Sequence, residues 1–292
     1  MDENQMPNVI RTLRHAQVAS YADVAAMVLL IFDISLTFSL EVKYVWQSHW
    51  SIIKVMYLIM RYVPFFTMTC VILIDVPGRS PETCSKLMDL CCYGVLIAIF
   101  AAEAILTLRL WAIYLRNRRV GVLLFVAYFG MMITIFIVVP QLLDLVKFAS
   151  LSSPNGQICY IASADKKLVF FWFVWAGYDA FQCTLLAYKA YKAFKHGGRS
   201  RLVKLLYRDG ILYYIFMMVM SMLCMVLALL LPVEYLRLTA EPTHIIHTAL
   251  TARIVLHVRL LMAQECGDAT GLSIGNHSTT TKIVFVSRPQ QT

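Results

Sequence analysis

Seven apolar stretches, separated by loops that carry charged residues, constrain this sequence more than any other feature. They are Tyr21–Leu40, Val55–Ile74, Leu87–Trp111, Val120–Leu145, Leu168–Tyr188, Gly210–Leu231 and Ile245–Ala263. An α-helix needs roughly 20 apolar residues to cross the hydrocarbon layer of a bilayer, and each stretch comes close to that length or exceeds it. The pattern therefore predicts an all-α, multi-pass membrane protein whose seven helices form one bundle.

The composition supports a lipid environment and leaves room for one domain. Of the 292 residues, 60% are hydrophobic and 15% are charged, whereas soluble domains have about 45–50% apolar and about 25% charged residues. We expect an extracellular tail over residues 1–20, the helical domain over 21–263 and a disordered cytoplasmic tail over 264–292. No cleavable signal peptide is expected, because residues 1–20 lack an apolar core.

Basic residues in the loops predict the orientation in the membrane. The links between stretches 1 and 2, 3 and 4, and 5 and 6 contain twelve lysines and arginines, and the other three links contain six. Since basic loops remain in the cytoplasm, the N-terminus should lie outside and the C-terminus inside. The net charge of +9 is explained by these loops, so we expect no nucleic-acid partner. The host membrane is expected to be the plasma membrane or one of the secretory pathway.

Two of the eight cysteines, Cys84 and Cys159, fall in loops that this orientation places outside. Disulfides persist on that side of the membrane, and a bridge would attach the second outer loop to the start of the third helix. Two unpaired thiols are the alternative.

A few ionisable residues lie inside the apolar stretches, where charges are costly and each is a functional candidate. They are Asp33, Arg61, Glu103, Asp179, Arg253 and His257. Counted from the helix ends, they lie at similar depths and predict one buried polar layer, with Asp33 and Arg61 as the favoured ion pair. The layer can fix the helix register, or it can form a switch or a path for ions or protons.

A basic segment connects the fifth and sixth stretches. It consists of Lys189, Lys192, Lys195, Arg199, Arg201, Lys204 and Arg208. Such a cluster attracts the anionic lipids of the inner leaflet. The alternative is a docking site for a cytoplasmic signalling partner.

His244 and His247 are three residues apart near the outer end of the predicted seventh helix, so they share one helix face. They are weak candidates for a metal site, because no third histidine is expected near them. No catalytic constellation or cofactor motif is recognisable, so we expect neither an enzyme nor a bound cofactor.

A motif around the first link combines charged, aromatic and proline positions: Asp33, Thr37, Phe38, Glu41, Val42, Trp46, Trp50, Ser51, Lys54, Val55, Tyr57, Leu58, Arg61, Tyr62 and Pro64. Further motifs are residues 108–114, 116–119, 208–213 and 252–259. Together they resemble an uncharacterised family of basidiomycete fungi, the domain of unknown function 6533, whose members are predicted to be integral membrane proteins. The resemblance implies no known ligand, activity or cofactor.

Three functions are compatible with these features. A seven-helix bundle with an outer bridge and a basic link between helices five and six resembles receptors in architecture, and this analogy favours signalling or sensing. A transporter or channel that uses the polar layer is the first alternative. A membrane metallohydrolase at His244 and His247 is the second.

Overall fold

The computed structural model describes residues 6–153, 156–163, 169–195, 201–230 and 236–269. These ranges contain seven α-helices: α1 Met6–Glu41, α2 Ile52–Asp75, α3 Pro81–Ile113, α4 Arg118–Leu143, α5 Val169–Lys195, α6 Arg201–Leu230 and α7 Leu236–Ala269. Each predicted apolar stretch overlaps one of these helices over most of its length. The all-α prediction is therefore confirmed.

Five of these helices are long and apolar enough to cross a membrane. The spans are Gln17–Trp46, Ile52–Asp75, Pro81–Ile113, Arg118–Leu143 and Ala240–Gln264. Among the described residues, α5 and α6 fall short of that standard. Asp179 and Gln182 lower the mean hydropathy of α5, and within the residues whose side chains are described, the uninterrupted apolar segment of α6 is Ile211–Leu227. The five helices make the chain a membrane protein.

One side of α4 illustrates the lipid environment. Val126, Phe129, Ile133 and Phe136 are all more than half exposed and recur every three or four residues along the helix. A stripe of large apolar side chains on the surface of a helix would be unfavourable in water, and in a bilayer it contacts lipid tails.

Both ends of the helical domain extend beyond the predicted boundaries. The segment 1–20 was expected to be a tail, but α1 begins at Met6 and continues through Glu41 into a π-helix, Val42–Trp46. At the other end, α7 continues to Ala269, and the remainder of the predicted cytoplasmic tail, 270–292, lies outside the described residues.

The link between α4 and α5 contains a β-hairpin that the sequence analysis did not predict. Strands β1, Lys147–Ser153, and β2, Gly156–Ser163, are antiparallel. A disulfide joins Cys159 in β2 to Cys84 in α3, with 6.6 Å between their Cα atoms. The backbone N–H of Gly78 also donates to the carbonyl of Gln157 at 2.8 Å. The predicted cysteine pair thereby attaches the hairpin to the start of α3, and the Gly78 hydrogen bond attaches it to the link between α2 and α3.

Candidate functional site

The predicted polar layer separates into two clusters. The first, here called the ion cluster, joins α1, α2 and α7 through Asp33, Glu41, Arg61 and Arg253. The second, here called the central network, joins α3, α5, α6 and α7 through Glu103, Gln182, Tyr214 and His247. The prediction of a single layer is corrected, because residues at similar depth face different neighbours.

Arg61 is the centre of the ion cluster and is 1% exposed. Its Nη1 donates to Asp33 Oδ2 at 2.5 Å, and its Nε lies 3.5 Å from Glu41 Oε2. Arg253 Nε donates to the other Asp33 oxygen at 2.6 Å. Two cations thus face two carboxylates, which offsets the cost of removing the charges from water. The favoured Asp33–Arg61 pair is present.

The spacing on α1 explains how this cluster forms. Asp33, Thr37 and Glu41 are four residues apart and therefore lie on one face of the helix. The Thr37 hydroxyl donates to the Asp33 carbonyl at 2.8 Å and accepts a hydrogen bond from Arg61. The sequence analysis placed Glu41 outside the layer, although its spacing from Asp33 was the signal that could have included it.

The central network is buried and closely connected. The ring Nε2 of His247 lies 3.0 Å from Glu103 Oε1, and Gln182 Nε2 donates to Glu103 Oε2 at 2.9 Å. The Tyr214 hydroxyl then donates to Gln182 Oε1 at 2.8 Å. These bonds connect four helices around the Glu103 carboxylate. A displacement of any of the four side chains therefore affects the hydrogen bonds of the other three.

The other predicted members of the layer have different surroundings. Asp179 is buried and accepts a hydrogen bond from Ser221 at 3.5 Å. Arg253, expected to be buried, has a side chain that is 50% exposed. It lines a groove between α6 and α7 together with the partly exposed His257.

The structure places His244 and His247 farther inside α7 than the sequence predicted. Depth was counted from Ile245, which placed His244 and His247 near the outer boundary of the membrane. In the structure α7 begins at Leu236, so both histidines lie more than two turns inside the helix, and both are buried.

A cavity of about 150 Å³ lies next to this part of α7, between α3, α4, α5 and α7. Its walls are mostly apolar and include Ile99, Leu142, Phe171, Trp172 and Trp175. His244 is 2% exposed and lines the cavity, and neither of its ring nitrogens has a hydrogen-bond partner among the described residues. A mostly apolar cavity with a few polar groups is typical of small-molecule sites.

The two histidines do not form a recognisable metal centre in the structure as described. Across the described residues, no group of three or more histidine, cysteine, aspartate or glutamate side chains is arranged to hold a metal ion. His247 directs Nε2 to Glu103.

Part of the predicted basic segment lies on the last turns of α5. Lys189 packs its ammonium group 5.2 Å from the ring centre of Tyr114, while Lys192 and Lys195 are exposed. Arg199 and the side chains of Arg201, Lys204 and Arg208 lie outside the described part of the structure.

Residues 21–66 match the family of unknown function DUF6533. The matched segment covers the second half of α1, the π-helix and the first part of α2, and it includes Asp33, Glu41 and Arg61. The resemblance found in the sequence is confirmed over this segment. No curated protein matches the chain.

Proposed function

We propose that this chain is a receptor-like membrane protein in which all seven helices cross the bilayer and a bound molecule is sensed. The proposed orientation places the N-terminus outside and the basic segment in the cytoplasm. The loop charges support it, and so does the Cys84–Cys159 bridge, because disulfides persist on the outer side of cellular membranes.

The observation that carries the proposal is the position of the cavity beside the central network. His244 lines the cavity, and His247, one turn farther along α7, contacts Glu103 on α3. Trp175 also belongs to both, since it lines the cavity and its ring lies edge-on to His247 at 5.3 Å. A molecule in the cavity would therefore contact Trp175, whose ring packs against His247 of the network.

The network offers a route from the cavity to α6. Tyr214 is the α6 member, and its hydroxyl depends on Gln182 for its hydrogen bond. The first turns of α6 contain the last three residues of the basic segment, Arg201, Lys204 and Arg208. This segment is the proposed contact surface for anionic lipids and a cytoplasmic partner. In the proposed mechanism the network has two arrangements in equilibrium, one with the Tyr214–Gln182 hydrogen bond and one without it. A ligand shifts this equilibrium only if it binds one arrangement more tightly than the other.

The alternatives have less support. A path for ions through the bundle requires water to reach Glu103 and Asp179, but both side chains are 1% exposed or less in this conformation. The proposal is also for a binding and signalling protein rather than an enzyme. A flux that depended on pH and was abolished by Asp179→Asn would favour a transporter instead.

The experiment measures coupling to a heterotrimeric G protein, the partner class that seven-helix receptors suggest by analogy. The protein is reconstituted in nanodiscs with a purified heterotrimer, and the rate of GTPγS binding is followed. We expect the rate to exceed that of the heterotrimer alone. Glu103→Gln weakens the charge-assisted bonds of the network, so we expect a further several-fold increase as α6 is released.

Glu82→Gln is the matched control. Glu82 is exposed on the first turn of α3 and pairs with Lys86, far along the helix from the network. It should leave the exchange rate unchanged. An exchange rate equal to that of the heterotrimer alone, with no effect of Glu103→Gln, would overturn the proposal.

A further inference from the structure

We infer that the cavity beside His244 binds a small, neutral aromatic molecule that bears a hydroxyl or a similar hydrogen-bonding group. The inference deepens the proposed function and rests on it only in treating this molecule as the signal. Three features of the cavity define the binding site: its size, its aromatic wall and two buried polar groups.

The volume sets the size of the occupant. The cavity measures about 150 Å³, and an apolar cavity of about that volume in another protein takes up benzene. A ligand with one aromatic ring and a few further heavy atoms therefore fits.

One wall of the cavity is aromatic. The rings of Trp172 and Trp175 are nearly parallel, at 8° and 6.0 Å, and Phe171 meets both edge-on at 5.4 and 5.5 Å. Aromatic rings prefer such offset and edge-to-face contacts over random packing. A flat aromatic ligand would form further offset or edge-to-face contacts with these rings. A branched aliphatic ligand of equal volume would gain less interaction energy, because it has no ring to form them.

Two buried polar side chains, His244 and Trp175, line the cavity. Both nitrogens of His244 and the indole Nε1 of Trp175 have no hydrogen-bond partner among the described residues. Leaving a buried donor or acceptor unpaired costs about 1–3 kcal/mol. A neutral imidazole presents one donor and one acceptor, and a hydroxyl group can serve either.

Glu241 is the other polar residue to consider as a hydrogen-bond partner of the ligand, and its existing contact favours His244 instead. Glu241 also lines the cavity, but its carboxylate already accepts a hydrogen bond from the Cys91 thiol at 3.7 Å. A charged ligand would have to leave water for a mostly apolar cavity, which is costly unless the charge is paired. A neutral ligand avoids that cost and can also partition into the membrane.

The test compares two molecules of nearly the same shape, p-cresol and p-xylene, which differ by a hydroxyl in place of a methyl group. Binding is measured by titration calorimetry of the full chain in nanodiscs, with empty nanodiscs subtracted to remove partitioning into lipid. We expect p-cresol to bind about tenfold more tightly than p-xylene, the ratio that one well-made hydrogen bond produces. In His244→Leu the two affinities should agree within about twofold.

His257→Leu is the control, because it makes the same change on the same helix but outside the cavity; it should preserve the tenfold ratio. Ala240→Leu adds volume at the cavity wall while keeping His244, and it should weaken both ligands together, which maintains the test if His244→Leu fails to fold. Equal affinity of the two probes for the unmodified protein, or no binding of either, would overturn the inference. Since no signalling partner is present, that result leaves the nucleotide-exchange experiment to decide the receptor proposal separately.

Discussion

At the scale of single residues, Arg61 has the most demanding environment in the described structure. It is almost completely buried and contacts two carboxylates on α1, Asp33 and Glu41, as well as the Thr37 hydroxyl. A buried guanidinium is stable only while its partners remain in place, and the partners depend on it equally. The family match includes this whole set of residues, so the arrangement of α1 against α2 can be tested through one side chain.

Arg61→Met should lower the free energy of unfolding by about 3–5 kcal/mol, because it leaves Glu41 and one side of Asp33 buried without a cation. Arg118→Met is the control; Arg118 is exposed at the start of α4, so its loss should change stability by less than about 0.5 kcal/mol. Thermal unfolding in detergent micelles measures both. Adding Glu41→Gln to Arg61→Met should restore part of the loss, and equal stability of the two single variants would contradict the prediction.

At the scale of elements, α2 and α3 approach each other closely at a glycine. A Cβ atom on Gly94 would lie 2.5 Å from Cγ2 of Thr67, whose side chain is completely buried. Thr67 is β-branched and has few rotamers with which to move away. Small residues that allow such close contact are typical of helix packing in membranes, where dispersion forces and hydrogen bonds hold helices together.

Gly94→Val should therefore destabilise the protein by about 1–3 kcal/mol through overpacking between α2 and α3. The matched control is Gly130→Val on α4, where a new Cβ meets no atom within 4 Å. The two variants have the same change in helix composition, so a difference in their unfolding temperatures reports the packing alone. If both were equally stable, the close approach at Gly94 would not contribute to the stability of the bundle.

At the scale of the whole molecule, the hairpin and its disulfide join the α4–α5 link to the α2–α3 end of the bundle. The bridge spans 75 residues of sequence and ties the α4–α5 link to the start of α3. Cys84, Cys159 and Ile74 also form a small buried cluster with part of the hairpin. Both cysteine-bearing segments therefore lie on the same side of the bundle, which is the side the loop charges predict to be outside.

The proposed orientation predicts where glycans can be attached. The chain contains one acceptor motif, Asn276-His277-Ser278, and a C-terminus in the cytoplasm keeps it from the glycosylation machinery. During synthesis into microsomes, an acceptor motif in an added N-terminal extension should be glycosylated and Asn276 should not. The mobility shift on an electrophoresis gel, with and without glycosidase, measures this. Glycosylation of Asn276 together with an unmodified N-terminal acceptor would show that the orientation is reversed.

The sequence alone determined the helices, the cysteine pair and the ion pair between Asp33 and Arg61. These features depend on local properties: a run of apolar residues must be helical in lipid because its backbone groups have no other partners, and helices next to each other in sequence are frequently neighbours in space. The hairpin between α4 and α5 was missed because its strands have only a weak alternation of polar and apolar residues.

Only the tertiary structure decided which distant residues meet. Glu103 pairs with His247, 144 positions later, and Arg253 turns to Asp33 on α1. Depth along each helix was estimated from the sequence, but the direction that each side chain faces depends on how the helices rotate against one another. The cavity beside His244 follows from the same rotations, since it is the space that four separately encoded helices leave between them.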